Sequence, residues 1–151
     1  MTEFAFRERM ILLKILVSAC LLGQNCKYNG GNNRSQRVLD FVEGHEVIPV
    51  CPEMAAGLGA PRPAVEIVNG HVRTEAGVSV DEPLRRAVAG ILAEIRDLDI
   101  DCAILQSRSP TCGVNQIYDG TFTRTRIRGS GVLAQALKDA GYRVIDVEDL
   151  P

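Results

Sequence analysis

Four short apolar runs, each about five residues and none with a 3.6-residue period, decide what this chain can become. ILVS at residues 15–18, EVIPV at Glu46–Val50, CAILQ at residues 102–106 and RVIDV at residues 143–147 read as strands. Helical segments lie between them. Ser35 is placed to cap a helix over Gln36–Val42 that stops at Gly44. Residues 81–98 carry Leu84, Ala87, Val88, Ile91, Leu92, Ile95 and Leu98 on one stripe, with Asp81 and Glu82 at the N-terminus and Pro83 in the first turn. Ser130 is placed to cap a last helix that ends at Gly141. Strands joined through helices need crossovers, which run neighbouring strands parallel and cover both faces of the sheet. The expected fold class is therefore α/β: a Rossmann-like sandwich with a mostly parallel sheet and helices on both faces. Two hairpins interrupt the alternation. One turns at Asn69-Gly70 within residues 64–74, the other at Asp119-Gly120 within residues 118–125.

The 151 residues suit one domain, expected over residues 15–151 behind an extension at residues 1–14. The formal net charge of −2 predicts no strong attraction to nucleic acid or to anionic lipid. Arg124, Arg126 and Arg128 read first as a solvated alternating face, with an anion-contact surface as the alternative. No run approaches the roughly 18 apolar residues that span a bilayer. VSAC at residues 17–20 resembles the end of a lipoprotein signal, but Glu3 and Glu8 offset Arg7 and Arg9, and Lys14 interrupts the apolar stretch. Removing that stretch would also delete the best strand. A cytoplasmic protein with no membrane partner is the better expectation.

Five cysteines, at positions 20, 26, 51, 102 and 112, cannot all pair within the chain and are too scattered for a disulfide scaffold. Ligands of open α/β sheets bind outside the carboxyl ends of the strands. Cys20 and Cys51 lie just past the first two expected strands, and Cys112 lies in the loop after the third. Cys102 opens a strand at the other end, where a buried apolar role is expected. Cys26, between Asn25 and Lys27, reads as a solvent-side spare thiol or a support to the others. Three converging thiols leave several chemistries open. Structural zinc prefers four ligands from close pairs, and neither His45 nor His71 is well placed to help. An iron–sulfur cluster accepts widely separated cysteines. A nucleophilic cysteine lacks an assignable histidine base.

Three stretches then narrow the field: SACLLGQNCKYNGG (residues 18–31), VIPVCPEMAAGLGAPRPAVEI (residues 47–67) and SRSPTCG (residues 107–113). Together they resemble a bacterial domain-of-unknown-function family that includes thiouracil desulfurase. The resemblance spans residues 15–149. It implies a four-iron, four-sulfur (4Fe-4S) cluster on Cys20, Cys51 and Cys112, with the fourth iron free for a substrate's sulfur. It also implies that Glu53 and Ser109 are catalytic and that the partner is a small thiolated molecule such as a nucleobase. Local structure offers an alternative at each position: Glu53 can support a helix start and Ser109 a turn. Arg62 and Arg108 are candidates for contacting an anionic substrate group, or for bonding loop carbonyls. Asn29 and Gly30 are candidates for the pocket wall, or simply for a turn. The leading expectation is a non-redox desulfurase. A metal or cluster-binding sensor without turnover is the alternative, and a thiol-redox protein using Cys20 and Cys26 is the third.

Overall fold

The computed structural model describes residues 12–151. Its centre is a four-stranded sheet of β1 (Lys14–Ser18), β2 (Glu46–Val50), β5 (Cys102–Leu105) and β8 (Val144–Asp146), in the order β2-β1-β5-β8. All three pairings are parallel, with Ile15 opposite both Val47 and Cys102, and Ile104 opposite Ile145. This is the expected Rossmann-like α/β sandwich. Lys14 already belongs to β1, so the sheet begins inside the expected extension, and residues 1–11 of that extension lie outside the described residues.

Strand alternation splits the core into two layers. Leu16, Ala103 and Leu105 face α3 (Asp81–Ile95) and α4 (Val132–Asp139), packing on Leu84, Val88, Ile91, Leu133 and Leu137. Ile15, Val17, Cys102 and Ile104 face the opposite way, onto α1 (Gln36–Val42) through Val38 and Val42, and onto Leu21 and Leu150. Fully burying each such aliphatic side chain contributes about 1.5–3 kcal/mol, so both layers hold the sheet. Edge strand β2 contains Pro49, opposite Val17 and exposed; a proline is tolerated where a strand has only one neighbour.

Ser35 caps α1 as expected, its Oγ accepting the Val38 N–H. Helix α3 stops at Ile95 rather than Leu98: the Leu98 N–H bonds the Ile95 carbonyl (3.0 Å), tightening the last turn, and Asp99 then takes a left-handed φ of 55°. β8 is two residues shorter than expected, its C-terminal end passing into a 3₁₀ turn over Val147–Asp149. Ser130 does not cap α4. Gly131 takes that place, while the Ser130 hydroxyl donates to the Val114 carbonyl.

The first hairpin, β3 (Val65–Val68) and β4 (His71–Thr74), turns at Asn69-Gly70 with φ of 50° and 81°, a two-residue turn of the expected kind. The second pairs β6 (Gln116–Tyr118) with β7 (Arg126–Arg128) across the longer loop 119–125. Asp119-Gly120 is therefore not a tight turn. The Glu66 carboxylate draws the loop away, its Oε1 accepting the N–H groups of Gly120 (3.0 Å) and Phe122 (3.2 Å).

Candidate functional site

Three chain segments leave the carboxyl end of the sheet together. After β1 the chain enters a 3₁₀ turn, Ala19–Leu22, which carries Cys20. After β2 comes the short helix α2 (Pro52–Ala55), with Cys51 at its N-cap position, Pro52 opening it and Glu53 in its first turn. After β5 the chain forms the loop that carries Ser109, Thr111 and Cys112. Cys20, Cys26, Cys51 and Cys112 all line one cavity of about 580 Å³, which Glu53 and Arg62 also line.

Helix α4 holds the third segment in place. The first N–H groups of a helix lack partners within it, and here the loop supplies them. Val132 N–H donates to the Pro110 carbonyl (2.9 Å), Leu133 N–H to Thr111 (2.8 Å) and Gly131 N–H to Gly113 (2.8 Å). The fit leaves no room for side chains at the crossing. A Cβ on Gly131 would lie 2.4 Å from the Thr111 carbonyl carbon, and one on Gly113 would lie 2.6 Å from the Gln116 oxygen.

Burial pushes the thiols up. Cys112 is raised to about 12 by burial, despite hydrogen bonds from Ser18 and Thr111. Cys26 is raised to about 12 by burial and then by neighbouring Cys51. Cys20 is raised by burial too, against the Asn33 amide, whose Nδ2 donates to its Sγ at 3.5 Å. Without a cation these are protonated thiols, poorly suited to act as nucleophiles. A bound metal reverses that balance by stabilising the thiolates.

The donors are spread around the cavity rather than gathered at one point. Among the described residues no three His, Cys, Asp or Glu side chains are grouped closely enough to hold one metal ion. A single zinc needs sulfurs at about 2.3 Å, whereas a four-iron cluster takes each cysteine on a different iron, so its ligand sulfurs stand farther apart. The charge environment suits an anionic assembly. Arg62, 5% exposed at its side chain, donates from Nη1 to the Gly59 carbonyl (2.7 Å) and sets Nη2 3.5 Å from Glu53 Oε2. Its Nε is buried with no acceptor among the described residues.

The remaining sequence candidates divide. Ser109 lines the cavity, and its Oγ accepts the N–H groups of Thr111 and Cys112. Arg108 lines it too, but its guanidinium is engaged by Glu148 Oε1 at 2.7 Å. Asn29 and Gly30 are not among the lining residues. Asn29 Oδ1 accepts the Gly31 N–H, Gly30 N–H donates to the Lys27 carbonyl, and Lys27 and Tyr28 form the wall instead. Cys26 is 7% exposed, not solvent-side, because the 24–33 loop folds inward over the cavity. His45 accepts the Leu13 N–H at the far end of the sheet, and His71 lies beside Asp81. Arg124 lines the cavity mouth, whereas Arg126 and Arg128 are exposed on β7.

Comparison with known proteins agrees with this geometry. The family model described as 2-thiouracil desulfurase matches residues 15–149. The chain belongs to the 2-thiouracil desulfurase family. A relative of this chain, the uncharacterised protein YbbK of Bacillus subtilis (strain 168), is 38% identical over 146 residues, covering 90% of this chain and 97% of that protein. A solved structure described as the [4Fe-4S]-dependent thiouracil desulfidase TudS is 37% identical, with a TM-score of 0.86 over 92% of this chain and 93% of that one. Among the described residues no helix is long and apolar enough to cross a membrane.

Sequence reasoning passed over three side chains that the site brings in: Thr111, Asn33 and Glu66. Thr111 stood inside the quoted motif, and its hydroxyl was the available signal. Asn33 sat in a polar loop without a pattern to mark it, and Glu66 read as an ordinary strand residue.

Proposed function

We propose that this protein is a cytoplasmic desulfurase that hydrolyses a thiocarbonyl of a small heterocycle, a thiolated nucleobase or a close analogue, using a 4Fe-4S cluster held by Cys20, Cys51 and Cys112. The observation that carries the proposal is the meeting of these three thiols, from three separate strand exits, in one cavity with Glu53 and Ser109. The family match and the description of the TudS structure support it. When bound, the cluster supplies an open iron, a Lewis acid with affinity for soft sulfur.

The chain's own residues account for the rest of the chemistry. The reaction exchanges sulfur for oxygen: thiocarbonyl plus water gives carbonyl, hydrosulfide and a proton, with no net electron transfer. Glu53 offers a carboxylate oxygen at the cavity wall to take the proton of the attacking water. General-base help of this kind contributes about 10²–10⁴-fold. Ser109 Oγ accepts two backbone N–H groups, at 3.1 Å each, and its hydrogen faces Thr111 Oγ1 at 2.9 Å. It therefore fixes the loop that carries Cys112, and its side chain forms the part of the cavity wall that orients the substrate. Arg62 pairs with Glu53 at 3.5 Å and brings a buried positive charge to the cavity beside Cys26.

Anaerobic purification followed by iron and sulfide analysis tests the cofactor, with about four irons per chain expected. Hydrosulfide release from 2-thiouracil and related thio-heterocycles tests the activity. An iron-loaded protein that releases none from any of them would leave the sensor reading in its place.

A further inference from the structure

Thr111 is 1% exposed, between Ser109 and Cys112 in the loop clamped by α4. Its Oγ1 lies 2.9 Å from Ser109 Oγ, 3.4 Å from Glu53 Oε2 and 3.7 Å from Cys112 Sγ. Hydrogen-bond accounting gives this cluster a direction. A hydroxyl has two lone pairs and one hydrogen. Both lone pairs of Ser109 are taken by the Thr111 and Cys112 N–H groups, so in the contact with Thr111 it is Ser109 that donates. The Thr111 hydrogen then faces two acceptors, Glu53 Oε2 and Cys112 Sγ, of which the carboxylate is the stronger.

The two ends of this chain are held very differently. The Thr111 backbone is fixed, because its carbonyl accepts the N–H groups of both Leu133 (2.8 Å) and Ala134 (3.2 Å). Glu53 sits on α2, a helix of four residues, and its other side-chain partner among the described residues is Arg62 Nη2 at 3.5 Å. A fixed hydroxyl thus meets a carboxylate that one ion pair, at 3.5 Å, leaves free to rotate.

We propose that Thr111 is a positioning residue that ties the Glu53 carboxylate to the Ser109–Cys112 loop, so that the carboxylate is presented to the substrate in a fixed orientation. The proposal rests on the desulfurase reading. It assigns a role to the hydroxyl itself rather than to the bulk of the side chain. A Thr111→Val substitution keeps the shape and removes the hydroxyl. A Thr111→Ser substitution keeps the hydroxyl and removes the methyl.

The test compares the wild-type holoenzyme with both variants, each prepared anaerobically, using 2-thiouracil as the probe. In Thr111→Val, kcat is expected to fall about 10- to 100-fold, the loss of one hydrogen bond to a charged group. KM should stay within about twofold, and iron and sulfide content and the visible absorbance should stay as in the wild type. Thr111→Ser should restore most of the rate. A crystal structure of Thr111→Val should show the Glu53 carboxylate rotated away from the site of the missing hydroxyl. A wild-type kcat in Thr111→Val would overturn the proposal, as would an equal loss in Thr111→Ser. Loss of iron in Thr111→Val would also overturn it, by assigning the hydroxyl to Cys112 instead. Should the valine variant not fold, Thr111→Ala carries the same comparison. If the wild-type protein releases no hydrosulfide, the desulfurase reading fails, and the crystal structures alone decide: Glu53 unmoved in the variant would refute the positioning role.

Discussion

Replacing Gly131 by alanine is the sharpest structural test of how the site is held. Gly131 has φ −69° and ψ 169°, a conformation that alanine adopts without strain, so any effect must come from contact. The added Cβ would lie 2.4 Å from the Thr111 carbonyl carbon, 2.6 Å from its oxygen and 2.8 Å from Cys112 N. These are backbone atoms, which cannot rotate aside. Helix α4 and the 109–113 loop must therefore separate by roughly half an ångström or more. Overpacking of this kind costs about 1–3 kcal/mol. The separation also lengthens the bonds from Val132 and Leu133 to the loop, displacing Cys112 relative to Cys20 and Cys51. Urea denaturation should show a lowered midpoint with an unchanged slope, and anaerobic iron analysis should show reduced loading. Gly90 is the control. It lies in α3 with no atom within 4 Å of its would-be Cβ, so Gly90→Ala should gain about 0.5–1 kcal/mol from helix propensity. A Gly131→Ala variant as stable as the wild type, with full iron, would refute the claim that α4 clamps the loop.

Further predictions bear on the cofactor, the core and the cavity mouth. Cys20→Ser, Cys51→Ser and Cys112→Ser should each lose the iron found on anaerobic purification, while Cys26→Ser retains it; iron analysis of the four variants decides this. Asp81 is pushed up by burial, but the Val72 N–H and Arg85 outweigh that and hold its carboxyl below the usual range. A depressed folded-state pKa gives stability that is present above the unfolded value, about 3.9, and is lost as pH falls through the folded one. Asp81→Asn should therefore cost about 1–3 kcal/mol near neutral pH, and the gap to wild type should close in urea titrations taken below about pH 4. Glu66→Ala removes the acceptor of the Gly120 and Phe122 N–H groups. Trypsin should then cut faster after exposed Arg124, as followed by mass spectrometry, and an unchanged cleavage rate would show the loop is held by other contacts.

The parts of this protein that were legible in sequence are those set by local pattern. Residues 15–17 and 102–105 are apolar on both faces, which marks inner strands of a parallel sheet, and the strand ends then locate Cys20, Cys51 and Cys112. The Asn69-Gly70 turn carries its own backbone preference and formed as read. The misreadings came from contacts between distant segments. Ser130 looked like a cap, but the donors it would have satisfied already meet the carbonyls of Pro110 and Thr111. Asp119-Gly120 looked like a tight turn, but Glu66, 54 positions from Gly120, pulls that loop aside. Thr111 meets Glu53 across a separation of 58 residues, and no short-range signal announces such a meeting. Asn29 and Gly30 read equally as pocket wall or as turn, and their hydrogen bonds are those of a turn.

Pro49 on edge strand β2 has a bearing on what befalls the protein outside its working state. A flank with open hydrogen-bonding groups invites another chain to add a strand, and proline is one of the residues by which sheets blunt that tendency. Leu16 and Val17, on the neighbouring inner strand, belong to a segment whose β-propensity would make it adhesive if uncovered. With Pro49 exposed on the outermost strand, partly opened copies are less apt to accrete edge to edge, and so remain individual molecules that can close again.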